Sequence, residues 1–396
     1  MTTPMLDRPG IRLIPIAVIV GVCLAIVVSA FAGSGSSTVG GRLGGDFPAF
    51  YAAGRIVIEG SGDALYDPVT QGEFQAALFP DDDGYLFFAY PPFTAVAYAA
   101  LALLPYRVAF ALHGLLAVAA LWGAVRLARP MLPSLIRSRG HELAAVAAML
   151  VMYPILRSVL GGQNTAFTIL LLAAVWRSAA DDRAAFAGLS LAALLYKPQY
   201  GVLAFLLVLA ARRWRILTWW LAGAGFAYVV GAAVAGWGWP PSWLDQSSVF
   251  NDENLVVNGD LMVSSIGWFR SLFGVLESWP GIVGFGLAAI IGLLAAIVWW
   301  KRGITAEAFA VASTAIVIGA PSALYYDAGI AAGALAVGAE RGWPGGAGVV
   351  VGVVIASWSQ LAASTLGWSP LFPLLIGVFI WSALAVYRAP ATDTAG

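Results

Sequence analysis

Charge is scarce in this chain. Only 11% of its 396 residues are Asp, Glu, Lys or Arg, and 21 of each sign leave no net charge. A soluble globular protein carries about 25% charged residues, so most of this chain belongs in lipid. The balanced charge offers nothing to attract nucleic acid. Cysteine is almost missing. The single Cys23, inside an apolar run, excludes an internal disulfide framework. Histidine is reduced to His113 and His141, with no HExxH and no Cys/His set, so zinc-type metal sites are not expected. The run Asp81-Asp82-Asp83 reads as a solvated cluster of like charges rather than a cation site. No GxxxxGK[ST] loop is present, which argues against an ATP-driven pump. No repeat of fixed period is visible, and no cofactor is implied.

Apolar residues are abundant. They make up 60% of the chain, and the mean hydropathy is +0.84. Aromatic residues reach 12%, which suits interfacial belts and sugar-stacking surfaces alike. Apolar runs cover residues 14–32, 106–128, 143–160, 164–179, 184–196, 199–211, 215–236, 280–300, 304–320, 325–340, 345–365 and 369–388. They predict an all-α polytopic membrane protein with about twelve spans (roughly 10 to 13), several too short to cross about 30 Å of hydrocarbon as straight helices. Residues 92–104, closed by Leu104-Pro105, read as a re-entrant or half-buried helix. The chain 1–396 reads as one integral-membrane domain with two larger extramembrane segments, 33–90 with amphipathic helices and 237–279.

Arginine placement orients these spans. Arg8 and Arg12 precede the first run, which reads as an uncleaved helix with its N-terminus in the cytoplasm. The segments "RLARPMLPSLIRSRGH", "WRSAADDR", "RRWR", "WWKRG" and "ERGW" then fall together on the cytoplasmic side. Segment 33–90 falls on the external side. It holds Asp46, Glu59, Asp63, Asp67, Glu73, Asp81, Asp82 and Asp83 against Arg42 and Arg55, a net charge of −6.

Polar groups at membrane depth are costly and mark functional sites by default. Here they gather at external span ends, in "GGQN" (161–164), "YKPQY" (196–200), "APSALYYD" (320–327) and "NDENLVVNGD" (251–260). Lys197-Pro198 interrupts a long apolar stretch. Pro breaks the helix, and a broken helix is tolerated at this depth only where protein or water satisfies its backbone. An ammonium there suits a phosphate or phosphodiester, although a lysine at a helix end also snorkels. Gln163 and Asn164 can bind sugar hydroxyls or simply link helices. Asp327 can cap the helix that follows it or bind ligand. In "GGDFPAF", Asp46 fits an N-cap and Pro48 the first turn. A cap leaves one carboxylate oxygen free for chemistry.

The series "GGDFPAFYAAGRIVIEG", "ALYDP", "YPPFTAVAYAALALLPY", "GGQNTAFTILLLAAVW", "LLYKPQYGVLAFL" and "YYD", in this order, resembles glycosyltransferase family 87. That resemblance implies a membrane enzyme of the GT-C fold in the plasma (inner) membrane, its site on the external side. It implies a polyprenyl-phosphate-sugar donor, with mannose or a related hexose or pentose, and a lipid or glycan acceptor. Asp46 matches the family's catalytic carboxylate in the first external loop and would act as general base for an inverting transfer. Lys197, with Arg55, would stabilise the phosphate. Gln163, Asn164, Gln199, Tyr326 and Asp327 complete the expected substrate-binding set. Where the family often has Pro-His before the Tyr-Asp pair, this chain has Pro321-Ser322, which removes a histidine role there. A lipid or sugar transporter and a non-catalytic family member are the competing readings. Transporters favour broken helices in matching halves, and only Lys197-Pro198 reads so here.

Overall fold

The computed structural model describes residues 9–32, 37–38, 41–79, 85–274 and 277–388. The aspartates 81–83 lie outside them. In chain order, α1 (Pro9–Phe31) is followed by α2 (Phe47–Ile58), α3 (Pro68–Ala76) and α4 (Pro92–Ala102), and then by the long α5 (Tyr106–Ala128). Next come α6 (Arg139–Leu150), α7 (Tyr153–Leu160), α8 (Thr165–Ala180), α9 (Ala184–Ala193) and α10 (Pro198–Ala210). They lead to α11 (Trp214–Ala235), α12 (Trp239–Val257), α13 (Ser265–Phe273) and α14 (Ser278–Arg302). The last helices are α15 (Ala306–Ile318), α16 (Ala332–Glu340), α17 (Gly346–Ala356), α18 (Ala363–Leu366) and α19 (Leu371–Arg388). Extended structure among the described residues is a two-residue pairing of Ser37–Thr38 with Gly41–Arg42 and an isolated bridge, Met262 to Leu324.

The chain is an all-α polytopic membrane protein. Among the described residues, six helical stretches are long and apolar enough to cross a membrane: Arg12–Phe31, Tyr106–Met131, Trp214–Ala235, Ser278–Arg302, Gly346–Leu366 and Leu371–Arg388. Large apolar side chains on them, such as Leu221, Phe226, Ile282 and Phe285, stand exposed and form the lipid-facing rim. The run 143–160 becomes the pair α6–α7, bent by 82°. Pro154 in the first turn of α7 cannot donate back to α6, so the helix restarts.

The remaining apolar runs are shorter helices than continuous spans would be. The Ala184–Tyr196 stretch and α10 have 13 residues each, or about 20 Å at 1.5 Å per residue, against about 30 Å of hydrocarbon. They meet at Lys197, which is the N-cap of α10, with Pro198 in the first turn. α15 is buried on nearly all sides, as a helix apolar all round must be, and lies at the centre against α10, α14, α16 and α19. The 92–104 run gives the short α4, packed on α2.

Two devices position the segment that carries Tyr90. Gln71 and Gln75 of α3 are buried, and their amides bond the backbone as a neighbouring strand would. Gln71 donates to Leu65 O (2.7 Å) and accepts from Phe88 N (2.9 Å). Gln75 donates to Leu86 O and accepts from Leu86 N, both at 2.8 Å. From the other side, the Trp243 indole of α12 donates to Ala89 O.

Candidate active site

Two glycine pairs build the site. Gly45 (φ +57°) and Gly162 (φ +66°) hold left-handed conformations that other residues rarely adopt. A Cβ on Gly45 would lie 2.6 Å from Gly161 O, and one on Gly162 would lie 2.5 Å from Phe47 Cβ. The absence of both side chains lets the turn before α2 seat against the turn between α7 and α8. The Asp46 N–H then donates to Gly161 O at 3.1 Å, and the Gln163 amide donates to Asp46 Oδ2. The segment between α1 and α2 is thereby tied to the "GGQN" turn.

Asp46 holds the N-cap position of α2 but makes no side-chain cap bond. The expected capping role is corrected: its carboxylate turns to Gln163 instead. The group is half-buried. Burial pushes its carboxyl above the usual range, while the Gln163 hydrogen bond and the Lys197 charge pull it back. Desolvation is the largest of these. The folded state therefore holds this proton more tightly than the unfolded chain does. The stability tied to it is complete below the unfolded carboxylate pKa and is lost as pH rises through the folded value. The base form, in turn, predominates only above that raised value. Gln163→Leu removes a hydrogen bond that favours the carboxylate, so the acid limb of kcat/KM against pH should move upward. An unmoved limb would show that Gln163 does not govern this ionisation.

A second cluster lies beside the first. Lys197 is 2% exposed, and its Nζ lies 2.8 Å from Asp327 Oδ1. The same oxygen accepts from Thr165 Oγ1 (2.7 Å), and Oδ2 accepts from Tyr200 OH (2.8 Å). Asp327 thus spends its carboxylate on protein donors and caps no helix. The 3-10 turn Tyr325–Ala331 is capped by Leu324, without a side-chain bond. This corrects the expectation that Asp327 caps a helix. Lys197, expected to stabilise the donor phosphate, is already paired with this buried carboxylate. The Tyr200 and Tyr326 rings each lie 5.6 Å from Lys197 Nζ, within cation–π range.

Asn164 and its neighbours close the floor. Asn164 donates to Tyr98 OH (3.3 Å), which pairs with His113 Nε2 (3.2 Å). Tyr196 OH donates to Asn164 O (2.9 Å) and meets Thr168 Oγ1. The amide oxygens of Gln163 and Asn164 are buried with no hydrogen-bond partner among the described residues. Gln199 is half-buried in the first turn of α10. Tyr90 stacks on Tyr196, ring centroids 6.4 Å apart.

Other expected members stand apart. Arg55 is nine residues along α2 from Asp46, about 13 Å by helical rise, and pairs with Glu59 at 2.7 Å. The structure does not bring it to Lys197. The 251–260 segment lies mostly in α12, where Asn258 donates to Asn254 and Asp252 faces Arg270. Ser322 turns its hydroxyl to Met262 Sδ at 3.9 Å. The Val263 N–H donates to Ala323 O at 2.8 Å, so segment 237–279 braces "APSALYYD" from outside the cluster.

The structure adds residues that the sequence reading missed: Thr165, Tyr98, Tyr90, Tyr200 and Arg157. Arg157 lies in the last turn of α7, is exposed, and hydrogen-bonds the Tyr325 hydroxyl. A cation in that turn gains about 0.3–1 kcal/mol from the helix dipole, whereas an arginine in an apolar span costs about 2.5–3.5 kcal/mol. The dipole alone does not account for it. A charge inside the apolar run 143–160 was the signal that could have found it.

An apolar cavity of about 310 Å³ adjoins the cluster. Met152 and Ile330 line it, next to Tyr153 and three residues beyond Asp327, and it extends to Leu132, Leu135 and His141. In the sequence comparisons, the model of glycosyltransferase family 87 matches residues 88–325. Asp46 precedes the matched stretch and Asp327 follows it. No curated protein and no solved structure matches the chain significantly.

Proposed function

The chain belongs to glycosyltransferase family 87, a family of GT-C type, and from that membership and the site geometry we propose which sugar transfer it performs. The protein is a multi-pass membrane glycosyltransferase. On our reading it moves mannose, or a related hexose or pentose, from a polyprenyl-phosphate donor to a lipid or glycan acceptor, with inversion, at the external face of the plasma membrane.

The observation that carries this reading is the half-buried Asp46 carboxylate, uncommitted to its helix and held by Gln163. The acceptor hydroxyl would give its proton to Asp46 as its oxygen attacks the anomeric carbon. The bond from that carbon to the phosphate oxygen would break, its electron pair leaving with polyprenyl phosphate. Such a donor carries its own leaving group and needs no nucleotide-binding fold. The unpartnered amide oxygens of Gln163 and Asn164 suit sugar hydroxyls, and the adjoining apolar cavity suits a lipid tail. In this scheme Lys197 is a positioning residue whose charge helps Asp46 stay ionised.

The test is transfer from radiolabelled polyprenyl-phosphate mannose into a lipid extract by purified protein. Lipid mass spectrometry of a deletion strain should then show a missing glycolipid and an accumulated precursor. No transfer from any polyprenyl-phosphate sugar would sink the reading.

Orientation is tested separately. On a Cys23→Ser background, Val69→Cys should react with an impermeant thiol reagent from outside intact cells, and Ser134→Cys should not. Both positions are exposed, so access depends on sidedness. Labelling at 134 from outside would invert the proposed topology.

A further inference from the structure

We propose that Arg157, oriented by Tyr325, binds the phosphate of the lipid-linked donor and takes up the charge that develops on it as the sugar leaves. This deepens the proposed function and rests on its polyprenyl-phosphate reading.

The charges of the cluster point to it. Lys197 and Asp327 cancel within one buried ion pair. Asp46 contributes a negative charge beside them. A phosphodiester approaching this site would meet net repulsion unless another cation faced it. Arg157 makes no ion pair among the described residues, and its side-chain partner is a neutral phenol. It is exposed, so its guanidinium is accessible.

Its placement fits as well. The Gly161 N–H donates to Arg157 O at 2.8 Å, and Gly161 O accepts from Asp46 N. Arg157 is therefore one helical turn from the backbone that seats the base. The Tyr325 ring packs against Tyr153 at 5.8 Å and Tyr326 at 5.2 Å. The Tyr325 and Tyr326 rings both lie close enough to Asp46 to feel its charge, so guanidinium, aromatic pair and carboxylate share one neighbourhood. Across that pair a sugar would fit, with its phosphate toward Arg157 and its anomeric carbon toward an acceptor held by Asp46.

The chemistry matches the residue. As the bond to the anomeric carbon breaks, its electron pair stays on the phosphate oxygen, and a phosphodiester monoanion becomes a phosphomonoester with a second negative charge. A guanidinium offers parallel N–H donors to two such oxygens and remains charged at any working pH. Because the charge grows along the reaction, the interaction strengthens toward the transition state and acts on kcat as well as on donor binding.

The experiment measures donor kcat/KM, acceptor KM and polyprenyl phosphate binding in nanodiscs, followed by intrinsic tryptophan fluorescence. Arg157→Ala should lower donor kcat/KM about 100-fold and weaken polyprenyl phosphate binding at least tenfold, leaving acceptor KM and thermal stability near wild type. Arg157→Lys should recover part of the loss, because it keeps charge without the fork. Tyr325→Phe should cost a few-fold, by loosening the guanidinium. Should Arg157→Ala fail to fold, Arg157→Gln keeps the bulk and serves instead. Wild-type affinity for polyprenyl phosphate in a folded Ala or Gln variant overturns the assignment and leaves the proposed function standing. A wild-type protein that neither binds polyprenyl phosphate nor turns over its sugar conjugates overturns both.

Discussion

Asp46→Asn should lower turnover by about 10²–10⁴-fold, the usual contribution of a general base, while the protein folds and inserts as before. The substitution keeps shape and removes the proton acceptor. Stability should not suffer, for two reasons visible in the site. The Asp46 side chain makes no cap bond to α2, so no cap is lost. Burial also disfavours its charged form, so a neutral amide relieves a cost. The apparent melting temperature in detergent should equal or slightly exceed that of wild type. The decisive measurement is product formation by purified, thermally intact protein at saturating donor and acceptor. Near-wild-type turnover would mean that Asp46 is structural. The alternatives are then poor: Glu59 is paired with Arg55 at the far end of α2, and Asp327 already accepts from Lys197, Thr165 and Tyr200.

The second large effect is on folding. Removing one partner of a buried ion pair typically costs about 3–5 kcal/mol, because the other charge is left uncompensated. Asp327→Asn should therefore strand the Lys197 ammonium, and Lys197→Ala should strand the carboxylate. Both variants should express poorly or melt early. The resemblance gives Lys197 a role at the donor phosphate; its buried pairing with Asp327 adds an expected effect on folding. The double variant Lys197→Met, Asp327→Leu should recover most of the stability, since well-packed apolar replacements of buried pairs are often neutral or better. Thermal unfolding of the three variants decides the matter. Single variants as stable as wild type would show that the pair carries no structural role. The double variant should still be slow, because the Lys197 charge no longer supports ionised Asp46.

Local features were legible in the chain. Apolar runs became helices because each helix satisfies its own backbone in lipid. The breaks at Gly161-Gly162 and Lys197-Pro198 were readable because glycine frees its own backbone and proline restricts itself and the residue before it. Asp46 stood out as a carboxylate between a glycine pair and a proline-started helix, and the motif order carried the family. Pairing across the chain was not legible. Gln163 reaches Asp46 over 117 positions, and Lys197 reaches Asp327 over 130. No local preference encodes such a partner. It follows from two glycine turns that allow close approach and from helices too short to cross alone, which must dock their broken ends together. Sequence by itself determined that this is a helical membrane protein and where its polar residues gather. Tertiary structure alone decided which charges cancel and which stay available, because a buried charge is tolerated only beside the opposite charge that the fold brings to it.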